Sequence, residues 1–195
     1  MSTSRFTPDQ ALQMLVTGNR RYISGLAQHP NQSAERRLEM VSGQHPFAIV
    51  LGCADSRVPP EVFCDQGLGD LFVIRNAGNV VDEVVFGSLE YGVEHLGVPL
   101  VMVLGHTQCG AVTAAVQGGH APGHLGSVVD RIRPAVAASI GQAGDVVLNA
   151  VRANVRLAVE AIKACEPLLA HAVKLEHLKV VGSLYHLDTG ELELV

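Results

Sequence analysis

Three uninterrupted apolar runs stand out along the chain: Phe47-Ala48-Ile49-Val50-Leu51, Leu71-Phe72-Val73-Ile74 and Leu100-Val101-Met102-Val103-Leu104. A fourth, looser run covers residues 178–185. Runs without polar alternation, rich in β-branched residues, suit strands buried on both faces. Between them the spacing is helical over residues 59–66, 81–96 and 110–117. A longer helical stretch covers residues 145–175, where Pro167 should kink or break it. Asp188-Thr189-Gly190 predicts a turn that returns residues 191–195 as an antiparallel edge strand. The expected fold is α/β: a mainly parallel four-stranded sheet with a C-terminal antiparallel edge strand and helices on both faces.

Ahead of this pattern lies a different region. Thr7-Pro8-Asp9 reads as a helix start, with Thr7 as N-cap and Pro8 in the first turn. Leu12, Leu15 and Val16 follow at helical spacing, and Gly18 and Gly25 weaken the helix toward its end. Residues 31–40 read as a second, polar helix. Residues 1–43 thus form an N-terminal helical arm with little core of its own, expected to pack on a partner subunit. The chain as a whole, residues 1–195, reads as a single domain. Residues 118–124, Gly-Gly-His-Ala-Pro-Gly-His, have the composition of a flexible loop.

Composition narrows the function. The 195 residues are 48% hydrophobic, enough for one well-buried core. Only 17% are charged, which suggests surface covered by other subunits. A net charge of −5 argues against nucleic acid as a partner. The first ten residues contain no apolar secretory segment, and the apolar runs are too short for a membrane span. A soluble cytoplasmic protein is expected. There, the four cysteines Cys53, Cys64, Cys109 and Cys165 serve metals or catalysis more often than disulfides.

Three polar clusters follow the ends of apolar runs: Cys53, Arg75-Asn76 and His106. In a parallel sheet they share one edge, where ligands bind. His106-x-x-Cys109 spaces an imidazole and a thiolate so that both reach one ion. Cys109 precedes a helix, whose N-terminus favours a thiolate. With Cys53 the set becomes Cys₂His, a zinc-type set that leaves a fourth position for water or a carboxylate. A structural zinc site is the competing reading, but such sites are closed by four Cys or His ligands, and neither Cys64 nor Cys165 follows a strand end. Asp55 lies close enough in sequence to reach the open position. Arg57 can pair with it through two charge-assisted hydrogen bonds, as an orienting pair beside a metal or as a pair that merely pins a turn.

Taken together, Cys53-x-Asp55-Ser56-Arg57, Arg75-Asn76-Ala77-Gly78 and His106-x-x-Cys109-Gly110 resemble the β-class carbonic anhydrases, in order and in spacing. The resemblance is closest over residues 44–116. It implies reversible hydration of CO2 to bicarbonate and a proton, by attack of zinc-bound hydroxide, in a zinc lyase. It implies Cys53, His106 and Cys109 as metal ligands, and Asp55 and Arg57 as the catalytic dyad. It also implies a substrate pocket lined by Gln44, Phe72 and Tyr91, as in plant-type members, with Ala77 and Gly110 as small residues near the CO2 site. The family's unit is a dimer with active sites at its interface, so a homodimer or homotetramer is expected. A second subgroup carries a regulatory bicarbonate site with a Trp three residues before the first Cys. Here that position is Val50 and the chain has no Trp.

Two other readings compete. One is COS or CS2 hydrolysis on the same zinc set. The other is a non-catalytic zinc-binding or redox-sensing domain, against which Asp55 and Arg57 both argue. His120 and His124, in the flexible loop, are candidates for a proton shuttle. Cys64 and Cys165 read as buried free thiols.

Overall fold

The structure, a computed structural model, describes residues 5–119 and 121–195. Its centre is a five-stranded sheet in the order β2-β1-β3-β4-β5. The strands are β1 (Ala48–Cys53), β2 (Leu71–Asn76), β3 (Leu100–His106), β4 (Lys179–Tyr185) and β5 (Leu192–Leu194). β1 pairs in parallel with β2 and β3, and β3 pairs in parallel with β4. β5 returns antiparallel to β4, with Tyr185 opposite Leu192. The expected sheet is therefore present, edge strand included.

Side chains on the central strands alternate between two cores. Ala48 and Val50 of β1 face one, together with Leu100, Met102 and Leu104 of β3. Ile49, Leu51, Val101 and Val103 face the other. Every residue of β1 and β3 is buried, which is why their sequences show no alternation. β2 is a sheet edge and stays half-buried along nearly its whole length despite an equally apolar sequence.

The helices are α1 (Pro8–Ile23), α2 (Ala34–Glu39), α3 (Pro60–Phe63), α4 (Glu83–Glu94), α5 (Gly110–Gln117), α6 (Leu125–Ser139), α7 (Val146–Lys163) and α8 (Leu168–Lys174). Thr7 caps α1 in a full capping box with Gln10. α1 runs on through Gly18. That glycine is the crossing point with the chain after α3, where an added Cβ would lie 1.7 Å from the Cys64 carbonyl oxygen. The polar helix is shorter than expected because Ser33 caps it, so α2 begins at Ala34. The stretch from 145 to 175 divides as expected: α7 ends at Lys163, and α8 starts after Pro167.

Two features depart from the sequence reading. α6 has no predicted counterpart, and Pro134 lies inside it. Burial of Val129, Ile132 and Ala135 against neighbouring helices outweighs the hydrogen bond the proline forfeits. The second concerns the arm. α1 buries Ala11 and Leu15 in its own chain's core. Asn19 of α1 donates to the carbonyls of Phe63 (3.0 Å) and Gly190 (2.8 Å) and accepts from Leu192 N–H (2.9 Å). α1 thus belongs to this chain's body, while α2 buries nothing within it. No helix among the described residues is long and apolar enough to cross a membrane.

Candidate metal centre

The strand order reverses direction at β1. The chain leaves β1 toward β2 on one side, then crosses to β3 on the other. A crevice opens at such a switch point, beyond the carboxyl ends of the strands. Cys53 ends β1 and His106 ends β3, so both project there. Cys109 is the N-cap of α5 and faces the same crevice. Gln108 makes this possible by taking a left-handed conformation (φ 55°) within the His106–Cys109 gap. That costs about 1 kcal/mol for a non-glycine residue, the kind of local strain that functional sites retain.

The sulfurs of Cys53 and Cys109 and a ring nitrogen of His106 lie within 4.8 Å of one another. All three residues are at least 95% buried. The Nδ1 of His106 is 2.9 Å from the Thr107 carbonyl oxygen. A carbonyl can only accept, so Nδ1 carries the proton and Nε2 presents a bare lone pair. That Nε2 is buried without a hydrogen-bond partner. An orphaned acceptor of this kind is costly in a folded core, and a cation between it and two thiols satisfies all three. The donor set, two sulfurs and an imidazole, suits zinc. The residues fit the metal.

A hydrogen bond from Cys109 is the main cause holding the Cys53 thiol low, with the Gly78 N–H at 3.4 Å also bonded to its sulfur. Beside Cys53, the Cys109 thiol is pushed up. A metal ion that enters such a site displaces the protons of its thiol ligands.

Asp55 and Arg57 form an ion pair. Arg57 donates from Nε to Oδ1 (2.9 Å) and from Nη2 to Oδ2 (2.7 Å), and its backbone N–H adds a third bond (3.0 Å). The guanidinium holds the Asp55 carboxyl well below the usual carboxylate range. Asp55 Oδ2 lies 3.9 Å from His106 Nε2, beside the cluster. Arg75 fixes the backbone that carries both groups, donating to the carbonyls of Cys53 (2.8 Å) and Asp55 (2.5 Å).

The five expected pocket residues separate. Ala77 and Gly110 line one largely apolar cavity of about 400 Å³ that adjoins the cluster, with Ala111, Ala114, Leu125 and Val129 in its wall. Phe72 and Tyr91 lie together, ring centroids 6.1 Å apart, but elsewhere. Phe72 pairs with Ile49, four residues before Cys53, or about 13 Å back along the strand. Gln44 is exposed on the segment before β1. His124 stands just before α6, and its carbonyl accepts from Ser127. His120 lies outside the described residues. The sequence reading missed Asn154, which donates to the Gly78 carbonyl at 2.9 Å. Its only signal was a lone amide on the apolar face of an amphipathic helix.

Known proteins are similar to this chain. A family model described as carbonic anhydrase matches residues 48–192. Carbonic anhydrase 2 of Mycobacterium tuberculosis is 41% identical over 191 residues, covering 96% of this chain and 92% of that protein. The carbonic anhydrase of Mycolicibacterium smegmatis is 39% identical over 191 residues, covering 96% and 93%. Among solved structures, the Coccomyxa β-carbonic anhydrase in complex with acetazolamide has a TM-score of 0.75 at 29% identity, covering 94% of this chain and 86% of that one. A tetrameric β-carbonic anhydrase of Sordaria macrospora shares the fold, with a TM-score of 0.76 at 23% identity over 94% and 96% of the two chains.

Proposed function

The chain belongs to the carbonic anhydrase family, in its β class, and on that premise we propose that it hydrates CO2 reversibly to bicarbonate and a proton, with zinc held by Cys53, His106 and Cys109. The observation that carries this reading is the buried, unpartnered Nε2 of His106 converging with two cysteine sulfurs. When bound, zinc acts as a Lewis acid that makes water a nucleophile near neutral pH.

The remaining work falls to the chain. Ionised Asp55 is acceptor-only, so beside the cluster it takes a hydrogen bond from the attacking water and orients it toward CO2. Arg57 keeps Asp55 ionised and turned away from the ligands. If the pair opens, Asp55 is close enough to close the fourth position itself. Ala77 and Gly110 offer a neutral, linear substrate an apolar approach through the adjoining cavity.

In this reading Gln44, Phe72 and Tyr91 complete the pocket of a second copy in a homodimer, or a homotetramer built from dimers. Their distance from their own chain's cluster supports it. So do the half-exposed Tyr91, the exposed Leu38, Val41 and Val84, and the half-buried edge strand β2. The unpaired cysteines suit a reducing cytoplasm.

Stopped-flow CO2 hydration on the zinc-loaded protein tests the proposal, with acceleration expected in proportion to zinc content. Rates at background with zinc bound would sink it. COS and CS2, fed to the same preparation, decide whether either is preferred.

A further inference from the structure

The loop between β2 and α4 is held more firmly than a strand-to-helix connection requires. Asn76 closes it on itself, accepting from Val80 N–H (2.9 Å) and donating to the Val80 carbonyl (2.8 Å). Within it Gly78 takes a positive φ of 73°. An added Cβ there would lie 2.7 Å from Ile132 Cδ1 and 3.1 Å from Ala111 Cβ, so α5 and α6 press on the loop from outside. Asn154 reaches in from α7 to the Gly78 carbonyl (2.9 Å), and the Gly78 N–H points at Cys53 Sγ (3.4 Å).

Asn154 is buried on a helix face otherwise made of Ala150, Val151, Val155 and Ala158. An apolar residue would pack there without a desolvation cost, so a buried amide calls for a reason. Its bond to Gly78 supplies one. We propose that Asn154 is a positioning residue for the metal centre: by holding the Gly78 carbonyl it fixes the Gly78 N–H on the Cys53 sulfur. An N–H bonded to a thiolate withdraws electron density, so Cys53 gives less charge to the ion than a bare thiolate does. Partners behind metal ligands tune affinity and reactivity in this way. Asn154 itself touches neither metal nor substrate.

The inference rests on the metal reading above, and its test separates the two. Full-length wild type, Asn154→Leu and Val159→Ala are loaded with cobalt(II), and the thiolate-to-cobalt charge-transfer band is recorded. Zinc affinity is measured by chelator competition. Val159→Ala trims the same helix more than a turn further along and controls for general loosening. In Asn154→Leu the band should move to longer wavelength, and affinity should fall roughly tenfold, while Val159→Ala stays at wild type. An unshifted band in Asn154→Leu, or an equal shift in Val159→Ala, overturns the positioning role. A wild type with no thiolate-to-cobalt band overturns the metal reading instead. Should Asn154→Leu fail to fold, Asn154→Ser, too short to reach the Gly78 carbonyl, carries the same expectations.

Discussion

Cys53 and Cys64 are both buried cysteines near β1, yet their surroundings give them opposite chemistry. Cys64 follows α3 beneath α1, beside Phe63, which stacks on Tyr185 at 4.3 Å. Full burial pushes its thiol far up, and the charge of Glu61 adds to this. Cys53 is almost as buried, but the Cys109 thiol and the Gly78 N–H donate to its sulfur, and the bare Nε2 of His106 lies within 4.8 Å. Burial alone therefore silences a cysteine, whereas burial among donors lowers its thiol and suits it to hold a metal.

Exchanging the two sites is the hardest test of this contrast. Cys53→Ser should lose bound metal and drop CO2 hydration to background, read by elemental analysis and stopped flow. Cys64→Ala should keep both and cost about 1–2 kcal/mol in denaturant titrations. A Cys53→Ser protein holding wild-type zinc would break the comparison.

The dyad comes next. Arg57→Ala should lower kcat/KM roughly 10- to 100-fold at neutral pH with full metal content. Full activity at neutral pH would remove the gating role of Arg57.

Alkylation of the metal-stripped protein, followed by mass spectrometry, sharpens the contrast further. Because the hydrogen bond from Cys109 holds its thiol low, the Cys53 rate should change little as pH rises through the ordinary thiol range. Burial pushes the Cys165 thiol up, so its rate should climb with pH. Cys64 should react only on unfolding.

The smallest effect lies at the far edge of the sheet. Arg152, and then His186, hold Glu193 down to about 2, below its ordinary 4.5. A lowered carboxylate contributes stability above its unfolded pKa and loses it as pH falls toward the folded value. Glu193→Gln should therefore flatten the loss of stability between about pH 4.5 and about pH 2, leaving metal content unchanged. Acid denaturation followed by circular dichroism measures it.

Much of this architecture was legible in the sequence, for identifiable reasons. The unbroken runs of β1 and β3 marked doubly buried strands, and the sheet edge they imply brought Cys53 and His106 together. Local signals such as Thr7-Pro8 and the His106-x-x-Cys109 gap named their own geometry. α6 escaped because Pro134 argues against a helix and only contacts with α5 and α7 override it. The role of Gly18 escaped because its neighbour, the Cys64 carbonyl, is distant in sequence. Phe72 and Tyr91 were grouped with the cluster by resemblance, and only the register of β1 with β2 shows how far from it they lie in one chain.

The sequence by itself determined the ligand types, their spacing and the strand ends that carry them, because periodicity and turn chemistry are local. Only the tertiary structure decided the rest. It left His106 Nε2 without a partner, set the Asp55 carboxylate 3.9 Å from that nitrogen, and brought Asn154 from α7 onto the loop that bonds Cys53. Each of these joins segments far apart in the chain, and such contacts follow from how helices pack on a sheet rather than from any local run of residues.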